Sequence, residues 1–327
     1  MITIVGGSGF IGSALCRELT RRKLTFKIID LKLSAEFPEF SEIVDIRDFQ
    51  RLEEVLEGEV VVNLAAVHRD DVMDKDEYYS TNVQGAKILC QACEKKGIGK
   101  LIFTSSVAVY GFAKPGTDED GIINPFNEYG RTKALAEKVY VDWRDKDYKN
   151  RSLIIVRPTV VFGEGNRGNV YNLLNQINSG NFVMVGSGEN KKSMAYVGNV
   201  AAFLLQCIQS NVRNRKYNYV DKPDFTMNEL VTLVRERLGG RPGVGLRIPW
   251  VVGILGGYFA DFLSLVGIKL PISSIRVKKF CSTSEFSSAK DDLDEFQPPF
   301  TLQEGLERTL LSEFINPDPK KIIFFTE

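Results

Sequence analysis

Short apolar runs alternate with longer amphipathic stretches through the first half of the chain. Apolar runs of four or five residues predict strands over 2–5, 26–29, 60–64, 101–105 and 153–156. Stretches with apolar residues every three or four positions predict helices over 13–22, 78–96 and 128–143. Strands that alternate with helices are typical of a parallel sheet covered on both faces. The pattern therefore predicts an α/β fold with a doubly wound parallel sheet.

The pattern loosens after residue 158. Turns rich in glycine and asparagine occupy 163–169 and 186–190, with a helix predicted over 170–177, a strand over 194–197 and a helix over 200–208. We expect 194–220 to return to a sheet domain formed by 1–165. We expect 166–193 and 221–327 to form a smaller C-terminal lobe over the carboxyl ends of the strands, where such sheets bind ligands.

One segment, 250–270, is strongly apolar and approaches the length of about 20 residues that spans a bilayer. Asp261 lies at its middle, at an insertion cost of about 2.5–3.5 kcal/mol. On a helix, Gly253, Gly257, Asp261 and Ser264 share one narrow stripe. The other face carries Trp250, Val251, Ile254, Leu255, Tyr258, Phe259, Phe262 and Leu265. Two interpretations stay open: a lid or core helix, or a helix lying in a membrane surface.

Charge and cysteine content exclude several classes of function. Lys+Arg and Asp+Glu both total 42, so nothing draws the chain towards nucleic acid. Cys90 and Cys93 form a CxxC, but no second pair accompanies them, and His68 is the only histidine. We therefore expect no metal, and reduced thiols of a cytoplasmic protein. The chain opens directly on a strand, so we expect no signal peptide.

A glycine-rich loop joins the first strand to the first helix. Gly7, Gly9 and Gly12 satisfy GxGxxG, and Gly6 extends the motif to GGSGFIG. Glycines allow the backbone to approach a pyrophosphate, and the helix N-terminus offers free N–H groups to it. Between a strand and a helix, this motif predicts a dinucleotide-binding Rossmann domain over 1–165. Its predicted contacts include Phe10 and Ile11.

The second strand ends on Asp30, 18 residues after Gly12. A carboxylate at this place accepts hydrogen bonds from the ribose hydroxyls and repels a 2′-phosphate, which predicts NAD rather than NADP. Asp45 and Ile46 follow what we expect to be the third strand, and we predict that they flank the adenine.

Ser106, Tyr129 and Lys133 carry the clearest chemical signal. Tyr129 and Lys133 lie four residues apart on a predicted helix, so they share one face. A nearby ammonium and a cationic nicotinamide would lower the pKa of the phenol and make a phenolate base available. Ser106 follows the fifth strand and is placed to hydrogen-bond the reacting hydroxyl. We predict that these three residues are catalytic.

At these residues the chain resembles the extended short-chain dehydrogenases/reductases of the NAD-dependent epimerase/dehydratase family. The motifs that carry the resemblance are GGSGFIG at 6–12, NLAA at 63–66, TSSVAVYG at 104–111, YGRTK at 129–133 and RPTVVFG at 157–163. The resemblance implies that Tyr129 is the base, that Lys133 also holds the nicotinamide ribose, and that Ser106 contacts the substrate. It also implies cofactor contacts by Leu64, Ala65 and Ala66.

The two positions after Ser106 narrow the reaction. Family members that dehydrate sugars carry Asp and Glu there, and decarboxylating members keep the Glu. This chain has Val107 and Ala108, which cannot move protons. This leaves two possible reactions, epimerisation at one carbon or a one-way keto reduction.

A longer resemblance points to one bacterial subgroup. The stretches that carry it are 68–72, 124–127, 165–174, 192–197, 217–223, 274–281 and the aromatic tail 322–327. This subgroup consists of 4-epimerases of N-acetylglucosaminyl-diphospho-undecaprenol, a lipid-linked O-antigen precursor of lipopolysaccharide biosynthesis. The resemblance implies substrate contacts by Asn169, Lys192 and Arg276, with Lys278 and Lys279 beside the diphosphate. It also implies a homodimer and peripheral contact with the cytoplasmic face of the inner membrane.

Three other functions stay open at this point. A soluble 4-epimerase of UDP-GlcNAc or UDP-glucose would share the catalytic residues. A nucleotide-sugar 4-keto reductase would consume a reduced nucleotide. An NAD-responsive scaffold would have no need of the intact Ser106, Tyr129 and Lys133.

Overall fold

The structure of the protein is a computed structural model that describes residues 1–68, 74–265, 267–268, 273–288 and 296–325. Parts of three sequence motifs lie outside these residues: 69–72, three positions of the apolar segment (266, 269 and 270), and the last two residues of the aromatic tail.

Strands and helices alternate along the described chain. The strands are β1 Ile2–Val5, β2 Phe26–Asp30, β3 Ser41–Ile43, β4 Val60–Asn63, β5 Lys100–Thr104, β6 Ser152–Pro158, β7 Val160–Phe162, β8 Met184–Val185, β9 Lys191–Tyr196, β10 Asn214–Tyr219, β11 Asp221–Thr226 and β12 Arg247–Ile248. The α-helices are α1 Phe10–Arg21, α2 Phe49–Val55, α3 Lys75–Tyr79, α4 Gly85–Lys95, α5 Glu128–Asp145, α6 Asn169–Asn178, α7 Val197–Gln209, α8 Met227–Arg237, α9 Trp250–Leu265, α10 Ser274–Cys281 and α11 Leu302–Leu310.

Seven strands form one parallel sheet in the order β10-β6-β5-β4-β1-β2-β3. In its centre Ile4 of β1 lies opposite Ile28 of β2 and Val62 of β4, and all three are fully buried. Burial from both faces explains why these strands are continuous apolar runs. The strand order reverses between β1 and β4, so a crevice opens at their carboxyl ends. The predicted doubly wound α/β fold is confirmed.

Helices cover both faces of this sheet. On one face α1 packs against α7, where Leu15 and Phe203 are fully buried. On the other face α4 packs against α2 and α5, where Leu89 and Tyr140 are fully buried. The amphipathic spacing of the sequence reflects these two cores.

The predicted strand over 194–197 does not join the main sheet. It is part of β9, which pairs with β7 and β11 in a separate three-stranded sheet. Met194 and Tyr196 are buried there against α11 and its neighbours. The next strand, β10, does pair with β6 of the main sheet. The division into an NAD-binding domain and a substrate-binding lobe stays a proposal.

The helix predicted over 78–96 is interrupted. Ser80–Gln84 forms a π-helical turn between α3 and α4. Inside this turn, the Asn82 amide contacts both the N–H and the carbonyl of Val67, and donates to Thr132 Oγ1 at 2.9 Å. π-turns are often found at functional sites. Here the turn fixes the segment after β4 against α5.

The apolar helix α9 lies on the surface, with its glycine stripe turned towards the protein. A Cβ on Gly253 would meet the Val185 side chain, and one on Gly257 would meet the backbone of Ser274. Asp261 accepts a hydrogen bond from the Ser274 N–H at 3.2 Å. The interpretation as a core helix is therefore wrong, whereas a lid and a helix in a membrane surface both stay predictions.

The outward face of α9 differs at three positions from the predicted one. Ile254 was expected to face outwards but is buried, Ser264 was expected on the glycine stripe but is exposed, and Val252 is exposed as well. Contact with α10 on one side sets this rotation. The side chain of Leu265 lies outside the described part of the structure. Among the described residues, no helix combines the length and apolar character needed to cross a membrane.

Candidate active site

The glycine loop is packed so closely that larger residues would not fit. Gly6 has φ +80°, and a Cβ there would lie 2.5 Å from the backbone nitrogen of Ala65. A Cβ on Gly12 would lie 2.6 Å from the Cα of Gly7. Helix α1 begins after Gly9, which has no side chain to cap its free N–H groups. The loop therefore leaves a helix N-terminus open to a phosphate, as NAD binding requires.

The carboxylate of Asp30 faces this loop. It accepts hydrogen bonds from the N–H groups of Ser8 at 2.9 Å and Leu31 at 2.7 Å. Two backbone donors orient the carboxylate at the end of β2, beside the crevice. The arrangement fits the predicted ribose contact, which stays a prediction.

The predicted adenine contacts have other partners in the structure. The Asp45 carboxylate is bound by the Arg47 guanidinium, which lowers its pKa. Ile46 is buried against Gly85 at the start of α4. Asp45 is thus paired within its own loop, a contact that spacing alone did not reveal.

Leu64, Ala65 and Ala66 follow β4, and the backbone of Leu64 and Ala65 passes directly beside Gly6. Asn63 holds them in place: its amide oxygen accepts from the Ala65 N–H at 3.0 Å and its nitrogen donates to the Tyr140 hydroxyl at 2.6 Å. The sequence analysis gave Asn63 no role. The available signal was an amide side chain at the end of an apolar strand, since such a group needs buried partners.

Ser106 and Tyr129 meet at the carboxyl end of β5. Ser106 begins a 3₁₀ turn, Val107–Tyr110, and its hydroxyl accepts from the Ala108 N–H at 3.1 Å. Burial raises the pKa of Tyr129 to about 12, while a hydrogen bond with Ser106 opposes the rise. The phenol is therefore protonated at neutral pH, and a nearby positive charge is needed to make it a base.

Lys133 lies one helical turn beyond Tyr129 and is buried. Its ammonium donates to the Thr104 carbonyl at 2.7 Å and lies 6.0 Å from the centre of the Tyr129 ring. Burial lowers the pKa of Lys133 to about 7, and the charge of Glu137 opposes that shift. The three residues predicted to be catalytic are thus brought together, although their roles stay predictions.

A buried ion pair that the sequence did not predict connects two elements of this site. Arg157 binds both oxygens of Glu137, at 2.8 and 2.6 Å, and also donates to the Tyr110 hydroxyl at 2.5 Å. Tyr110 in turn donates to Asn218 at 2.8 Å. The network ties the 3₁₀ turn after Ser106 to helix α5. An arginine within the otherwise apolar run of β6 was the available signal.

Two further hydroxyls lie at the same strand end. Thr104 Oγ1 and Ser105 Oγ are buried and have no hydrogen-bond partner among the described residues. Buried hydroxyls are normally satisfied, so their position favours a polar ligand here. Together with the open helix terminus and Asp30, they fit a bound NAD and a sugar.

The three predicted substrate contacts lie on separate elements. Asn169 is exposed at the start of α6, and Arg276 is exposed on α10. The Lys192 ammonium donates to the carbonyls of Lys279 at 2.7 Å and Ser282 at 2.5 Å, and burial lowers its pKa to about 8. Two of its three donors thus hold the end of α10, and its contact with a diphosphate stays a prediction.

The aromatic tail packs against the glycine loop. The Phe324 N–H donates to the Gly165 carbonyl at 2.9 Å, and its carbonyl accepts from the Arg167 N–H at 2.8 Å. The Phe324 ring lies 5.7 Å from that of Phe10 on the glycine loop. The tail therefore joins the second lobe to the first turn of α1.

A parallel sheet with a glycine loop, an acidic residue at the end of β2 and a Ser, Tyr and Lys set defines a class of NAD-binding enzymes. The chain belongs to the NAD dependent epimerase/dehydratase family, whose model matches residues 2–219. This confirms the resemblance found in the sequence, and with it NAD as the cofactor.

The similarity to individual relatives extends over nearly the whole chain. The chain is 46% identical over 329 residues to N-acetyl-alpha-D-glucosaminyl-diphospho-ditrans,octacis-undecaprenol 4-epimerase of Escherichia coli O157:H7, covering 100% of this chain and 99% of the relative. UDP-glucose 4-epimerase of Thermotoga maritima, solved with UDP-glucose, has a TM-score of 0.74 at 22% identity and covers 94% of this chain and 97% of that one. UDP-N-acetylglucosamine 4-epimerase of Methanobrevibacter ruminantium has a TM-score of 0.73 at 22% identity, with 94% and 96% covered.

Proposed function

We propose that this protein is an NAD-dependent 4-epimerase that interconverts GlcNAc-diphospho-undecaprenol and its GalNAc epimer. The observation that carries the proposal is the full-length identity of 46% to an epimerase with that substrate in its name. The residues agree, since Ser106, Tyr129 and Lys133 converge while Val107 and Ala108 supply no acid or base for dehydration.

The geometry suits proton transfer at one hydroxyl. NAD, when bound, supplies reversible hydride storage, so no net oxidation results. Tyr129 takes the proton of the 4-hydroxyl, and Ser106 holds that oxygen by a hydrogen bond. The charge of Lys133 favours the phenolate of Tyr129. NAD held by the glycine loop would take the C4 hydride and give it back. Once the 4-keto sugar has turned within the site, Tyr129 returns the proton to the same oxygen.

The test offers purified protein two substrates separately, GlcNAc-diphospho-undecaprenol and UDP-GlcNAc, without added cofactor. The hexosamine is identified afterwards by hydrolysis and chromatography. We expect GalNAc from the lipid-linked substrate. Turnover of UDP-GlcNAc alone would replace the proposal with a soluble nucleotide-sugar epimerase, and a requirement for stoichiometric NADH would indicate a 4-keto reductase.

We also propose that α9 lies in the cytoplasmic face of the inner membrane. Seven large apolar side chains on its outward face are about half exposed or more: Trp250, Val251, Val252, Leu255, Tyr258, Phe259 and Phe262. Burying such side chains in lipid stabilises attachment by roughly 1.5–3 kcal/mol each. A lipid-linked substrate provides the reason for this surface, because its tail stays in the bilayer.

Co-sedimentation with anionic vesicles tests the membrane contact. Phe259→Asp and Phe262→Asp should release the protein from vesicles and leave NAD binding intact, because both side chains are more than 60% exposed. Tyr148→Asp is the matched control, since this exposed tyrosine follows α5, away from α9. Failure of the wild-type protein to co-sediment with vesicles would contradict the proposal.

Finally, we propose a homodimer formed through the helices over 78–96 and 128–143. Its support is the family resemblance. Light scattering in solution measures the mass directly, and a single species at 36.7 kDa would contradict it.

A further inference from the structure

Two exposed phenylalanines pack against each other on segments that adjoin the residues proposed to be catalytic. The rings of Phe112 and Phe126 are 5.0 Å apart at 31°, and the side chains are 60% and 45% exposed. Phe112 follows the 3₁₀ turn that begins at Ser106, and Phe126 lies three residues before Tyr129. Contiguous exposed apolar surface marks binding sites, whereas single exposed apolar residues are common.

The backbone around the two rings is fixed. Gly111, with φ +66°, passes so close to Asn124 that a Cβ would lie 2.1 Å from its carbonyl oxygen. The Asn124 N–H donates to the Val109 carbonyl at 3.0 Å. The segments that carry Phe112 and Phe126 are therefore joined directly to the turn that carries the catalytic serine.

Basic residues of α10 connect this aromatic pair to α9. The Lys279 ammonium lies 4.6 Å from the centre of the Phe126 ring, and the Lys278 ammonium lies 5.4 Å from that of Tyr258 on α9. The carbonyl of Lys279 is held by Lys192. Phe126 thus contacts Lys279, and the neighbouring Lys278 contacts the exposed face of α9.

In the proposed substrate the diphosphate lies between the sugar and the lipid. An ammonium is the group that a diphosphate needs, and exposed rings beside it suit an isoprene chain. We infer that Lys279 binds the diphosphate and that Phe112 and Phe126 bind the first isoprene units. The two phenylalanines would then distinguish a polyprenyl diphosphate from a nucleotide diphosphate. The inference rests on the proposed function and adds the residues that select the substrate.

The test compares three soluble substrates in detergent-free buffer, so that membrane docking plays no part. They are farnesyl-diphospho-GlcNAc, methyl-diphospho-GlcNAc and UDP-GlcNAc. The variants are Phe112→Ser with Phe126→Ser, Lys279→Gln, and Tyr148→Ser as the exposed aromatic control. The NAD content of each purified variant reports whether it is folded.

For the double phenylalanine variant we expect KM for the farnesyl substrate to rise about tenfold or more, with kcat kept. Its KM for the methyl substrate should not change, because that substrate has no isoprene. Lys279→Gln should raise KM for both. Calorimetry with farnesyl diphosphate on the holoenzyme should show the same losses of affinity without any turnover.

Equal KM values in wild type and both variants would overturn the inference while leaving the proposed function intact. A double variant that loses affinity for UDP-GlcNAc instead would show that the rings stack on a base. Wild-type protein that turns over only UDP-GlcNAc would refute the proposed function itself.

Discussion

The buried ammonium of Lys133 makes a quantitative prediction about stability and pH. Its folded pKa is lowered to about 7 by burial, whereas an unfolded lysine titrates near ~10.4. Between these values the unfolded chain binds more protons, so the free energy of unfolding rises with pH. From pH 7 to pH 9 the titration of Lys133 should raise the free energy of unfolding by about 2 kcal/mol. One titrating group can contribute at most about 1.4 kcal/mol per pH unit.

Urea unfolding of nucleotide-free protein at pH 7, 8 and 9 measures this effect. Other groups titrate too, so the informative quantity is the free energy of unfolding of the wild type minus that of Lys133→Met. This difference should increase by about 2 kcal/mol from pH 7 to pH 9. Lys216→Met, at an exposed lysine on β10, is the matched control and should show a constant difference. A constant difference for Lys133→Met would refute the reasoning. A difference that falls with pH would mean that Glu137 outweighs desolvation.

Three further changes test other parts of the site. Tyr129→Phe should lower kcat by about 10²–10⁴-fold through loss of the base, with NAD content unchanged in the purified protein; activity at the wild-type level would exclude Tyr129 as the base. Asp30→Ala should narrow the preference for NAD over NADP, measured by calorimetry, and equal affinities in the wild type would contradict the assigned role. Arg157→Met should reduce the urea-unfolding free energy by about 3–5 kcal/mol because it strands the buried Glu137 carboxylate. The double variant with Glu137→Met should recover much of the lost free energy of unfolding. A double variant as unstable as the single one would argue against a charge effect.

Local sequence patterns were sufficient to predict the sheet and to bring out the residues proposed to be catalytic. The β1 run, the glycines after it and Asp30 at the end of β2 form one continuous signal, because each position is dictated by its neighbours in sequence. Tyr129 and Lys133 share a face through helical spacing alone. The same spacing correctly placed Gly253 and Gly257 on one stripe of α9.

Contacts between distant segments were beyond such patterns. Only the tertiary structure shows Lys192 holding the end of α10 and β9 in a second sheet. The π-turn before α4 follows from partners of Asn82 that lie 15 and 50 residues away.

The sequence by itself determined the fold class and the glycine loop, and it predicted the catalytic set, because these depend on periodicity and on residues that are close along the chain. The tertiary structure decided which face of α9 is exposed, which rings surround Lys279, and that Phe324 packs on Phe10. Those features depend on how whole helices and loops pack against one another. Packing is set by the combined shape and burial of many side chains, and no short stretch of sequence encodes it.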